Sequence, residues 1–312
     1  MKARGFKQVD VFGASAYLGN PLAVVLDGSD LSDQEMQHFA SWTHLSETTF
    51  LLPPSEAGTA AGADYRVRIF TPGAELPFAG HPTLGSCHAW LEADGKPKAQ
   101  EVIVQECAFG LVKIRRDAVR LRFAAPALQR RPVEPALLAE VVAALGVKPA
   151  RIRAAQLLDN GPVWLTLLLD SRQAVLQLSP DHLALKNLGY KVGVASIENA
   201  APASLLIARS NREARASSWR SISAAGAMPD FPEVEVRAFA APVGVNEDPV
   251  TGSLNASLAQ WLIAEGLAPS AYMAEQGHCL GRAGRVHVEQ DEAGQVWVGG
   301  ESVTCIQGTV TL

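Results

Sequence analysis

His81-Pro82-Thr83-Leu84-Gly85-Ser86 and Asp248-Pro249-Val250-Thr251-Gly252-Ser253 lie half a chain apart and read as two copies of one short pattern. Between 81–91 and 248–258, five of eleven positions agree: Pro82/Pro249, Gly85/Gly252, Ser86/Ser253, Ala89/Ala256 and Leu91/Leu258. Each copy joins an extended segment to an apolar helical run. A helix start leaves backbone N–H groups without partners and carries the positive end of the helix dipole. Two glycine-containing starts, one per half, facing each other across a cleft, make a site for a small anion such as a carboxylate.

The elements around these starts are mixed, with more strands than helices. Phe6 to Phe12 alternates and reads as a strand, and Leu22 to Leu26 as a buried one. Ser32-Asp33-Gln34-Glu35 has the form of a capping box and opens a helix through about Trp42. Strands are expected over Glu47–Leu52 and Tyr65–Thr71, then a helix from about Pro82 to Ala93, then a three-strand meander ending near Phe123. Ala124 to Pro135, with Pro126, Pro132 and Pro135, reads as a linker. Beyond it come a helix over Leu137–Leu145, strands near 152–158 and 163–169, a helix near 180–188 and strands near 192–197, 203–208 and 234–239. The stretch 211–230 reads as loop. Thr251–Glu265 is a strong helix, and 286–312 alternates as closing antiparallel strands. One long helix per half and few others argue against a doubly wound parallel sheet. The reading is an α+β fold of two pseudo-symmetric lobes, residues 1–125 and 133–285. Each is a curved, barrel-like sheet around a central helix, and 286–312 can cross back to the first lobe.

Composition narrows the function. The 312 residues are 48% hydrophobic, enough for an ordinary core. A net charge of −5, from 27 basic and 32 acidic residues, gives no bias toward nucleic acid. The start of the chain has no signal-peptide core, and no run has the roughly 20 apolar residues of a membrane span. A cytoplasmic protein with reduced thiols is expected. Cys87, Cys107, Cys279 and Cys305 form no CxxC pair, no metal-binding spacing stands out, and there is no Walker or dinucleotide loop.

Four residues can carry chemistry. Glu47 heads an apolar strand, where loss of water would raise its pKa toward neutrality and let it both give and take a proton. The plain alternative, favoured by local context alone, is a solvated strand-edge charge. His81 sits beside a helix start, whose dipole favours a neutral ring able to donate or relay a proton. It is equally a turn residue held by backbone contacts. Asp248 reads as an N-cap carboxylate of the second helix. Ser253, with the N–H groups near Gly252, would hold an anion, or be an ordinary helical serine.

Taken together, these segments resemble the PhzF family of phenazine-biosynthesis-type isomerases, related in fold to diaminopimelate epimerase. The resemblance rests on Asp10-Val11-Phe12 through Gly19-Asn20-Pro21-Leu22-Ala23-Val24-Val25, on Leu45-Ser46-Glu47-Thr48-Thr49-Phe50, on Phe70-Thr71-Pro72 through Gly80-His81-Pro82-Thr83-Leu84, and on Glu247 through Ser253. The tail, with Gly281-Arg282, Gly284-Arg285-Val286 and Val298-Gly299-Gly300, also fits. It implies a site between two lobes, no metal or organic cofactor, and a homodimer. The type member moves one hydrogen of a dihydro-hydroxyanthranilate with a glutamate as acid/base. That glutamate is then Glu47, supported by His81, Asp248 and Ser253, with Gly80 and Gly252 lining the site. Two departures stand out: His44 where the family has Asn, and Pro82 where it has a small residue. Both could reshape the pocket.

The expectation is an isomerase of a small carboxylate-bearing substrate, with no nucleic-acid or membrane partner. Loops 53–64 and 211–230 would shape substrate choice. The alternatives are a non-catalytic carboxylate-binding protein and an amino-acid epimerase. The epimerase relatives use one thiol per helix start, and neither start here has a cysteine.

Overall fold

The computed structural model describes residues 1–117, 119–198 and 233–312. The strand expected near 203–208 and the loop expected over 211–230 lie outside the described residues. The first half runs β1 (Ala3–Val11), β2 (Asn20–Val25), α1 (Asp33–Thr43), β3 (Thr48–Leu52), α2 (Glu56–Ala60), β4 (Tyr65–Phe70), β5 (Glu75–Leu76), α3 (Gly80–Glu92), β6 (Val102–Cys107), β7 (Gly110–Arg116), β8 (Leu121–Ala124) and β9 (Gln129–Arg131). The second runs α4 (Pro135–Leu145), β10 (Ile152–Asp159), β11 (Val163–Leu169), α5 (Arg172–Leu176), α6 (His182–Leu188), β12 (Lys191–Glu198), β13 (Glu233–Ala240), β14 (Val245–Asp248), α7 (Gly252–Ala264), β15 (Ala271–Gln276), β16 (Gly284–Gln290), β17 (Val296–Gly300) and β18 (Ser302–Thr311). The fold is α+β, with mixed pairing and two central helices, α3 and α7.

The strands form one connected sheet. β18, β1 and β2 pair antiparallel, β2 with β3 parallel, β3 with β4 antiparallel, and β4 with β6 parallel. β6, β7 and β8 then form an antiparallel meander. From the other end, β9, β10 and β11 pair antiparallel, β11 with β12 parallel, β12 with β13 antiparallel, and β13 with β15 parallel. β15, β16 and β17 form the second meander, and β8 joins β17 antiparallel. Short β5 and β14 attach to β4 and β13. Of the tail expected to close the fold, β18 lies on β1, while β16 and β17 stay beside β15.

Strands buried on both faces explain the unbroken apolar runs. In Leu22-Ala23-Val24-Val25, Val24 faces the large core and Val25 a smaller one under Met36 and Ala40 of α1. In β11, Leu168 joins the large core, while Leu165, Leu167 and Leu169 pack under Val141 and Leu145 of α4. α1 begins with the expected capping box, Ser32 with Glu35. α4 ends at Gly146, whose φ of 66° suits glycine.

Several elements have no readable pattern. β9 lies inside the stretch expected as linker; its three residues are all exposed and show no alternation. β15 buries Tyr272, Ala274 and Gln276, but Ala271 and Met273 on the outward face blur the period. The first helix starts two residues earlier than expected, at Gly80. That shift corrects the sequence repeat. The repeat aligns Gly85 with Gly252, whereas both helices begin on a glycine, Gly80 and Gly252.

α7 fills the core without a polar stripe, burying Leu254, Leu258, Trp261 and Leu262. Leu254 occupies space that Gly193 leaves open: a Cβ at 193 would lie 2.4 Å from its Cδ1. Leu254→Ala is expected to cost about 2–5 kcal/mol, as large-to-small changes in packed cores do, read from urea unfolding with an unchanged m value. A loss under about 1 kcal/mol would mean that α7 is not clamped as described.

Candidate active site

The starts of α3 and α7 touch. A Cβ on Gly80 would stand 2.8 Å from Gly252 Cα, and one on Gly252 would stand 2.9 Å from Gly80 Cα and 3.1 Å from His81 N. Only residues without side chains permit that approach. Neither N-cap, Ala79 or Thr251, makes a side-chain capping bond. Among the described residues, no acceptor meets the N–H of Gly80, His81, Gly252, Ser253 or Leu254. Pro82 sits in the first turn, where its missing N–H costs the helix nothing. It leaves α3 with fewer free donors than α7, so the anion-binding capacity leans toward Gly252 and Ser253.

Glu47 lies between α1 and β3. His44, the residue that departs from the family pattern, caps α1 with φ 55° and turns the chain toward it. Asn also adopts that left-handed conformation readily, so the exchange is conformationally mild. Pairing of β3 with β2 and β4 then fixes Thr48 and, with it, Glu47. The Glu47 side chain is 15% exposed, and its Oε2 lies 3.4 Å from Nε2 of His81, whose side chain is 4% exposed. Both atoms are buried without a hydrogen-bond partner. The solvated strand-edge charge, the plain alternative for Glu47, does not describe this carboxyl.

Burial drives the electrostatics. It pushes the Glu47 carboxyl well above the usual carboxylate range, and the negative charge of Asp248 adds to it, against Ser46 and Lys191. Burial also pushes the His81 ring down to about 3, so it is neutral. The Asn20 amide Nδ2 lies 3.3 Å from His81 Nδ1. An amide nitrogen cannot accept, so this contact favours the tautomer with Nδ1 bare and the hydrogen on Nε2, facing Glu47.

Asp248 is not an N-cap. It ends β14, three residues before Thr251, the N-cap of α7. Its Oδ1 accepts from Asn20 Nδ2 at 2.8 Å and its Oδ2 from Thr251 Oγ1 at 2.5 Å. Those bonds hold its pKa down, but burial outweighs them and raises it. Ser253 is the second residue of α7. Its Oγ accepts from Trp164 Nε1 at 3.2 Å, which leaves its own hydrogen available to an anion.

The structure thus gathers Glu47, His81 and Asp248 around Asn20, and sets Gly80, Gly252 and Ser253 at the helix starts beside them. Four further residues were not read as site residues. Asn20, fully buried, also donates to Val250 O at 2.9 Å and so ties β2 to the second half. Gln276 accepts from Thr251 N and donates to Thr251 Oγ1 and Asp248 O. Trp164 holds Ser253. Lys191, the residue paired with Trp164, feels both Glu47 and Asp248, though burial lowers its pKa. The one available signal was Asn20, a polar residue opening an otherwise apolar buried strand. Among the described residues, no group of three or more His, Cys, Asp or Glu side chains is placed to hold a metal ion.

Comparison with known proteins shows the family and the fold. The model of a family described as "Phenazine biosynthesis-like protein" (PhzC-PhzF) matches residues 9–308. "Antisense-enhancing sequence 1" of Schizosaccharomyces pombe is 33% identical, covering 99% of this chain and 99% of that protein. "Trans-2,3-dihydro-3-hydroxyanthranilate isomerase" of Pseudomonas aeruginosa is 32% identical, covering 92% of this chain and 90% of that protein. The crystal structure of a PhzF-family phenazine biosynthesis protein from Bacillus anthracis superposes with a TM-score of 0.78 at 20% identity, covering 100% of both chains.

The raised Glu47 pKa has a stability consequence. The folded protein keeps a proton that the unfolded chain has already released. Stability from this group is therefore present below the ordinary glutamate value and lost as pH rises through the folded one. His81 acts oppositely: its contribution is present above about 6.5 and lost as pH falls toward about 3. Glu47→Gln should gain stability relative to the parent progressively between about pH 5 and pH 9 in urea unfolding. A constant difference across that range would show the carboxyl to be solvated.

Proposed function

The chain belongs to the phenazine biosynthesis-like (PhzC-PhzF) family, and on that premise we propose that it is a cofactor-independent isomerase that moves one hydrogen of a small carboxylate-bearing substrate. The carrying observation is the contact of Glu47 Oε2 with His81 Nε2, two buried polar atoms without hydrogen-bond partners, beside two uncapped helix starts. Unmet polar atoms of this kind cost about 1–3 kcal/mol each. A bound substrate would recover that.

In this reading the substrate carboxylate sits on the N–H groups of Gly252, Ser253 and Leu254 and on the Ser253 hydroxyl. Ionised Glu47 takes a proton from carbon and returns it to another carbon on the same face. A pKa raised toward neutrality keeps both forms of the carboxyl within reach. Neutral His81 donates from Nε2 to the Glu47 carboxylate when that group is ionised and fixes its direction. Asp248, held by Asn20 and Thr251, stays charged and keeps Glu47 basic. Residues 1–125 and 133–285 are read as two pseudo-symmetric lobes with the site between them. The matching order of parallel and antiparallel pairings in the two halves supports that division. Closure over the substrate would exclude water and strengthen each of these interactions.

A thiol mechanism is disfavoured. Cys87 lies two turns into α3, where burial pushes its thiol up to about 12, and no cysteine stands at either helix start. The test uses trans-2,3-dihydro-3-hydroxyanthranilate, the compound in the name of the Pseudomonas relative, and related small carboxylates in deuterated water. The parent should incorporate deuterium and turn over. Glu47→Gln should lose at least about 10²–10⁴-fold, the worth of a positioned acid/base, with its circular dichroism unchanged. Turnover retained in that variant would remove Glu47 from the mechanism. Thermal stabilisation of the parent without exchange would indicate binding alone.

A further inference from the structure

Lys191 opens β12 with a positive charge, although the residues that follow, Val192 to Ser196, are small or apolar and all buried. Side chains two apart on a strand share a face. Gly193 faces α7, since a Cβ there would run into Leu254. Lys191 therefore lies on the side of the sheet that carries the first turn of α7.

Its cross-strand partner places the ammonium. Lys191 pairs with the buried Trp164 of β11, and its Nζ lies over the indole ring, 5.2 Å from the centre. The same indole donates from Nε1 to Ser253 Oγ at 3.2 Å, while Asn160 Nδ2 donates to Ser253 O at 3.0 Å. One aromatic ring thus has a cation on its face and the α7 hydroxyl at its edge. Among the described residues, the ammonium makes no hydrogen bond and no ion pair; it feels Glu47 and Asp248 only through their charge. A half-buried lysine ordinarily has a bonded anion.

The charge count gives this cation a task. A substrate carboxylate at the α7 start shares a buried site with Asp248 and with Glu47, which must ionise to take a proton. The two helix ends offset roughly one unit of negative charge between them. His81 is neutral. Lys191 is the cation whose charge acts on both Glu47 and Asp248. Its ammonium is a compact charge on a flexible stem, able to swing from the indole face to an anion beside Ser253.

Resting on the isomerase reading above, we propose that Lys191 is a substrate-binding residue that pairs with the substrate carboxylate at the start of α7 and makes the site select an acid over its neutral amide. The N–H groups of Gly252, Ser253 and Leu254 take the carboxylate from the helix side, and Lys191 takes it from the Trp164 side. Trp164 positions both the Ser253 hydroxyl and the ammonium, so the two act on one anion.

Calorimetric titration compares acetate, benzoate and 3-hydroxyanthranilate, each with its amide. The parent should bind at least one acid more tightly than its amide. Lys191→Met keeps the apolar length of the side chain and removes the charge. It should weaken that acid by about 10–100-fold, the worth of a hydrogen bond to a charged group, and leave the amide where it was. Lys191→Arg keeps the charge and should keep the preference. In turnover, Lys191→Met should raise KM with kcat nearly unchanged, the mark of lost uniform binding. Acid and amide affected alike would overturn the proposal and leave the isomerase reading standing. So would an unchanged KM with a shifted pH profile of kcat, which would make Lys191 a partner of Glu47 and not of the substrate. A parent that prefers no acid to its amide overturns both. If Lys191→Met fails to fold, Lys191→Gln takes its place in every arm.

Discussion

Two helix N-termini in van der Waals contact are an electrostatically awkward arrangement. Each carries roughly half a positive charge at its first turn, and neither is capped. The arrangement exists because Gly80 and Gly252 have no side chains to hold the helices apart. What balances it is negative charge supplied from outside the helices, by Asp248 at the end of β14 and, once it ionises, by Glu47 before β3. The dipole ends and Lys191 favour ionised carboxylates here. Burial disfavours them, and the two carboxylates disfavour each other. Burial has the larger effect on both, which is why both pKa values move up despite the surrounding positive potential. A substrate carboxylate would bring to the helix starts the charge that the protein itself supplies only partly.

Asn20 is the joint of this arrangement. Its amide has two hydrogens and three neighbours able to accept them: Asp248 Oδ1 at 2.8 Å, Val250 O at 2.9 Å and His81 Nδ1 at 3.3 Å. The two shorter bonds account for both hydrogens and reach into the second half of the chain, so the 3.3 Å approach to the imidazole of the first is at most a shared contact. One side chain therefore holds Asp248 and the backbone leading into α7, and favours the His81 tautomer that bears its hydrogen on Nε2. The chain Asn20–Asp248–Thr251–Gln276 extends that control to β15, so the carboxylate beside Glu47 is held from three directions.

Much of this is legible in the sequence. Capping signals, alternation and the apolar character of α3 and α7 are local properties, and they place the main elements. Glu47, His81, Asp248 and Ser253 were legible through their surrounding motifs. The repeat that drew attention to the helix starts was out of register by five residues, because Pro, Gly and Ser recur at helix starts for reasons unrelated to homology. Asp248 was misread as a cap for a similar reason: an aspartate just before a helix has many local roles, and only the fold shows that Thr251 takes the N-cap position. Trp164, Lys191 and Gln276 carried no signal, since each reaches the site from a strand far away in the chain.

The pairing pattern also constrains how the site can close. β9 leaves the meander of the first half and pairs with β10 in the second, and β18 leaves the second and pairs with β1 in the first. The ladder is unbroken through β8 and β17 between them. The halves are thus linked by two exchanged edge strands and a shared sheet, not by a single flexible linker. Closure over a substrate cannot be a free hinge at 124–135, because β9 within that stretch is fixed to β10. In the proposed mechanism, any closing motion would have to keep these ladders or break their hydrogen bonds. The helix starts already touch, and the Glu47 carboxyl already lies 3.4 Å from the His81 imidazole.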